Sequence, residues 1–110
     1  MVYLYPGMTD YQMFYVPFAA DSLARASVSY TQEGETMLIK DTTEFTDWED
    51  GCTFSIELSQ ADTLRLKDCR DVLIQVNLVT TEGYRAPSSP IPLTVGKQAD
   101  RRILSEGAED

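Results

Sequence analysis

The chain contains no histidine among its 110 residues. That removes Ser-His-Asp triads, Cys-His dyads and zinc sites with imidazole ligands. Cysteine is scarce too. Cys52 and Cys69 stand seventeen positions apart and fit no zinc-ligand spacing. A bridge between them would add about 3 kcal/mol in the loop-entropy model. A reducing compartment opposes it, and Cys52 falls in phase with an apolar strand face, so two free thiols are expected. The six glycines are scattered at 7, 34, 51, 83, 96 and 107, which leaves no glycine-rich phosphate loop. Basic residues number nine against eighteen acids, for a net charge of −9, and the only adjacent pair is Arg101-Arg102. Such a surface repels phosphate backbones and anionic bilayers, so no nucleic acid and no membrane is expected as a partner. The longest apolar run, MFYVPFAA from Met13 to Ala20, is broken by Pro17 and too short to span a bilayer. The first basic residue is Arg25, so the positive start of a secretory signal is missing, and the cytoplasm is the expected location.

What is present is alternation. In CTFSIEL, Cys52, Phe54, Ile56 and Leu58 share one face. In DVLIQVNLVT, Val72, Ile74, Val76 and Leu78 do the same. ARASVSY puts Ala24, Ala26, Val28 and Tyr30 inward, and ETMLIK is a shorter strand. YQMFYVPF is apolar on both faces and contains Pro17, which suits an edge. PIPLTV points Ile91, Leu93 and Val95 inward, with Pro90 and Pro92 on the other phase, again an edge pattern. TQEGE and TTEGY read as three- to five-residue hairpin loops closed by Gly34 and Gly83 at positive φ, and APSSP as a kinked crossing or bulge. DTTEFTDWEDG is a long acidic connection with a short irregular strand.

Between two strands lies LSQADTL. Ser59 can cap one helical turn, with Asp62 as its reciprocal partner three positions on. That gives both residues a backbone role worth about 0.5–2 kcal/mol. The expected fold is therefore all-β: an immunoglobulin-like β-sandwich of about six or seven antiparallel strands, with one short helical turn over residues 59–66. The tight TQEG turn implies that its flanking strands pair within one sheet. In the immunoglobulin order the second and third strands belong to different sheets, so the strand order stays open.

Candidate chemistry is thin. No catalytic residue, cofactor or metal is expected. Asp47, Trp48, Glu49 and Asp50 cluster in the acidic connection, but DWEDG misses the EF-hand pattern, with Leu58 where the bidentate acid belongs. As a ligand-binding alternative, Trp48 with Asp47 and Asp50 would contact a carbohydrate or host surface. Aromatics crowd the first eighteen residues: Tyr3, Tyr5, Tyr11, Phe14, Tyr15 and Phe18. They either cover one end of the sandwich or form an arm that docks on a neighbouring subunit. The organisation expected is an aromatic arm over residues 1–10, the sandwich over 11–97 and an acidic tail over 98–110. Tyr3, Tyr5, Tyr11 and Phe14 are interface candidates, with Ile103 and Leu104 as anchors in the tail.

VSYTQEGETMLIK, CTFSIELSQADTLRL and DVLIQVNLVTTEGYRAPSSPIPLTVG, taken in order, resemble small proteins encoded among the structural genes of tailed phages and prophages of Gram-positive gut bacteria. The pattern covers residues 23–96 and consists of strand and turn motifs. No catalytic residues accompany it. The resemblance implies a non-enzymatic virion subunit of head, neck, tail or baseplate. Such a subunit would meet other virion proteins and copies of itself, first in the host cytoplasm and then in the virion. A homo-oligomer or larger assembly is the expected state.

Overall fold

The computed structural model describes residues 3–88 and 90–98. Nine strands form two sheets packed face to face. The first sheet has the order β1-β9-β7-β3-β4, built from Tyr3–Leu4, Ile91–Val95, Asp71–Thr80, Leu23–Gln32 and Glu35–Thr42. β8, Arg85–Pro87, also pairs with β7. The second sheet is β2-β6-β5, from Asp10–Val16, Gly51–Leu58 and Thr46–Trp48. Every pairing is antiparallel except β1 with β9. No helix among the described residues is long and apolar enough to cross a membrane.

The alternating strands bury the side chains their pattern dictates. Cys52, Phe54, Ile56 and Leu58 of β6 face Val72, Ile74, Val76 and Leu78 of β7 in one core, with Val28 and Tyr30 of β3. Two details of the pattern are corrected. Ala24 is exposed and Leu23 is buried instead, because the pairing of β3 with β7 slips between Leu23 and Arg25. A bulge of this kind inserts one residue and reverses the facing of everything before it. Ile91 is also exposed, since it lies beside the free edge of β9.

A strand precedes the first one legible in the sequence. β1 is two residues long, too short for any period, and it pairs in parallel with Thr94 and Val95. The strands flanking TQEG are then third and fourth, and they pair in one sheet. With that count, the second, fifth and sixth strands share one sheet while the third, seventh and last share the other, which is the immunoglobulin-like order.

β1 also changes the reading of the N-terminal segment. Leu4 and Pro6 are fully buried, Gly7 N–H donates to Thr63 Oγ1 at 2.8 Å, and Thr63 Oγ1 donates to the Met8 carbonyl at 2.7 Å. Residues 4–8 are thus tied to their own sandwich. The prolines mark the edge of β9 only in part: residues 91–93 are open on the outer side, while Thr94 and Val95 are covered by β1.

The helical turn is shorter than expected, Gln60–Thr63, but its cap is as read. Ser59 N–H donates to Asp62 Oδ2 at 2.9 Å, and Asp62 N–H donates to Ser59 Oγ at 3.1 Å. The turn carries the chain from β6 in one sheet to β7 in the other. In APSSP, Ala86 and Pro87 belong to β8 and Ser88 follows it, while Ser89 lies outside the described residues. There Val76 N–H donates to Ser88 Oγ and Ser88 N–H to the Val76 carbonyl, which keeps β7 bonded across the break.

Candidate functional site

The interface candidates separate on folding. Tyr11 and Phe14 both belong to β2 but differ in parity, so they point to opposite faces. Phe14 turns inward and stacks on Phe54, with ring centroids 5.1 Å apart, and is not a surface contact. Tyr11 turns outward and is 71% exposed. Tyr3 contributes its backbone to β1. Tyr5 is partly exposed, with its ring over Gly96, where any side chain would collide with it. Ile103 and Leu104 lie outside the described residues.

Cross-strand partners share a face, and the register assembles an outer surface from three strands. β2 supplies Tyr11, Met13 and Tyr15, opposite Glu57, Ser55 and Thr53 of β6. β5 supplies Thr46 and Trp48, opposite Thr53 and Gly51. Tyr11, Met13, Tyr15 and Trp48 are 71%, 74%, 51% and 58% exposed. Tyr15 leans over Gly51, where an added methyl would lie 2.9 Å from its hydroxyl oxygen. The absence of a side chain at 51 therefore lets Tyr15 approach the position opposite Trp48. Met13 and Tyr15 are the members missing from the interface candidates read in the sequence, although Tyr15 belongs to the aromatic crowd noted there. Their signal was available: a strand apolar on both faces has only one face to bury.

The carboxylates next to Trp48 do not form a cluster with it. Asp47 alternates to the other face, pairs opposite Cys52, and accepts a hydrogen bond from Ala20 N–H at 3.2 Å. Asp50 is exposed in the turn after β5, where Glu49 takes a positive φ of 44°. Among the described residues, no group of three or more carboxylates and thiols is placed to hold a metal ion.

A second feature runs along the inner side of β2. An apolar cleft of about 330 Å³ opens between the sheets, lined by Phe14, Val16, Phe18, Leu78, Pro87 and Ile91. A second cleft of about 390 Å³, sharing Phe14 and Ile91, continues it past Leu4 and Leu93. The cause is topological. Among the described residues β2 pairs with β6 alone, so on that side only the two residues of β1 close the sandwich.

The titratable groups inside the fold serve structure. Tyr30 is buried, which raises its phenol pKa, and Asp10 and Asp62 raise it further. Its hydroxyl donates to Gln12 Oε1 at 2.6 Å, linking the sheets. Burial likewise pushes the Cys52 thiol up, with Asp47 adding to it, so this sulfur stays protonated. Both cysteines are free, Cys52 buried and Cys69 exposed. Burial alone would raise the Asp62 carboxyl, but the Ser59 N–H and the Lys40 ammonium, 2.9 Å away, outweigh it and hold the pKa below the usual value.

The fold and surface define an immunoglobulin-like β-sandwich with an open side and an exposed aromatic face. Comparison with protein-family models, with curated proteins and with solved structures yields no match.

Proposed function

We propose that this protein is a non-enzymatic structural subunit that works through protein–protein contacts. The observation that carries the reading is the outer face of β2, where Tyr11, Met13 and Tyr15 stand exposed in a row. Scattered surface apolar residues mean little, but a contiguous row on one strand is the composition of an interface core. The resemblance of the strand and turn motifs to those of phage and prophage structural proteins suggests the setting: an accessory subunit of a virion head, neck, tail or baseplate. Sedimentation velocity and negative-stain imaging test this on the full chain, alone and co-expressed with the products of neighbouring genes. Rings or particles well above the 12.4 kDa chain are expected. A monomer in both preparations would remove the reading.

One observation favours a second reading, a carbohydrate- or host-surface-binding module. Trp48 and Tyr15 lie on one face with only Gly51 between them, and flat exposed rings are what a sugar stacks on. Trp48→Ala should then abolish glycan-array signals while leaving stability within about 0.5 kcal/mol, as expected for a surface substitution. Unchanged glycan binding in the variant, or none in the parent, would eliminate it.

A further inference from the structure

The sheet edges of this molecule are not alike. β1, β5 and β8 are only two or three residues long. β9 carries Pro92 at its open end. β4 carries Glu35, Lys40 and Asp41, and its pairing with β3 is bulged between Tyr30 and Thr31. β6 beyond Thr53 faces a polar cleft that contains the Lys40–Asp62 ion pair. Shortness, proline, charge and bulges are the devices that keep an edge from pairing with another chain. β2 has them only at its ends, with Asp10 at its first position and Pro17 just past its last. It is seven residues long, in unbroken register with β6, and its only charge is Asp10 at the first position.

We propose that β2 is a self-association edge, pairing antiparallel with β2 of a second copy about a two-fold axis at Met13. This deepens the assembly reading and rests on it. The sequence along the strand, Tyr11-Gln12-Met13-Phe14-Tyr15, has the near-palindromic form that an isologous contact needs. Centred on Met13, the register sets Met13 opposite its own copy and each Tyr11 opposite Tyr15 of the other chain. The axis stands perpendicular to the joined six-stranded sheet. Both outer faces therefore lie on one side, and both open clefts lie on the other, facing each other.

The near-palindrome selects a second copy as the occupant, and the neutral edge permits it. Two molecules of net charge −9 repel over most of their surface, whereas residues 11–18 carry no charge at all. In this register the two Asp10 carboxylates sit at opposite ends of the contact. The contact is a backbone ladder along β2, to which the Met13–Met13 pair and the two Tyr11–Tyr15 cross-strand pairs add, while the outer side of these side chains stays in water.

Two variants of the full chain test this. Met13→Lys puts like charges face to face on the axis and should weaken self-association about a hundredfold by sedimentation equilibrium. Its side chain is solvent-facing, so the circular dichroism spectrum and melting curve should remain those of the parent. Met13→Cys, made with Cys69→Ser, should give a disulfide-linked dimer on mild oxidation, because opposed Cα atoms about 4.5–5.5 Å apart suit a disulfide. Ile39→Cys in the same background, on the opposite edge of the molecule, should not. The cross-linking arm stands even if the lysine variant fails to fold. Oligomers that survive Met13→Lys, with Met13→Cys linking no faster than Ile39→Cys, would overturn the β2 contact and leave the assembly reading intact. A parent that stays monomeric at every concentration overturns self-pairing, and the assembly reading is then decided by co-expression.

Discussion

Thr63 and Gln32 hold together parts of the chain that their neighbours in sequence do not reveal. Thr63 is fully buried, and its hydroxyl bonds to both Gly7 and Met8, more than fifty positions away. Thr63→Val keeps the shape but orphans a donor and an acceptor, and should cost about 1–3 kcal/mol in urea unfolding. Gln32, also buried, donates to the Lys67 and Arg70 carbonyls and accepts from Lys67 N–H, which pins the loop before β7. Both residues read as ordinary strand or turn polars in the sequence, because their partners are set by tertiary contact. Ser59 and Asp62 were legible because their bonds are local. Asp62 also fixes a pH dependence. Its folded pKa lies below that of an ordinary aspartate, so its stabilisation is complete above the ordinary value and is lost as pH falls through the folded one. Asp62→Asn should therefore flatten the acid limb of the stability profile measured by denaturant titration.

The elements that position the site differ in how strongly their sequence declares them. β6 and β7 alternate cleanly and were readable to the residue; the turn at Gly34 was legible as a turn, but its loop is two residues, Glu33-Gly34, rather than the three to five expected. β1 was not, because two residues carry no period and its pairing joins Leu4 to Val95 across nearly the whole chain. The consequence is testable. Leu4→Ala should lower the stability by about 2–5 kcal/mol, the usual range for emptying a buried leucine site, with a matching fall in melting temperature. Deleting residues 1–8 would strip Leu4 and Pro6 from the sandwich, so it reports on folding as much as on docking. Among the glycines, Gly51 is constrained by space. A methyl there would press on the Val16 carbonyl and the Tyr15 ring, and Gly51→Ala should cost about 1–3 kcal/mol.

For the whole molecule, the balance is between a uniform negative field and a short neutral edge. Screening weakens the first and leaves the second untouched. Raising ionic strength from about 0.01 M to 1 M shortens the Debye length from about 30 Å to 3 Å. Self-association should accordingly strengthen with added salt in sedimentation experiments. An interface held by opposite charges would weaken instead.

Composition and alternation by themselves determined an all-β sandwich without imidazole chemistry, with a capped turn between sheets and an acidic surface. These follow from residue types and from contacts only a few positions apart. Only the tertiary structure decided that Tyr11 faces out while Phe14 faces in, that Met13 and Tyr15 complete the exposed row, and that the β2 edge, which Pro17 had already suggested, is the least guarded one. How well an edge is guarded depends on what every other strand pairs with. That information is spread over the whole chain and becomes local only when the sheets close.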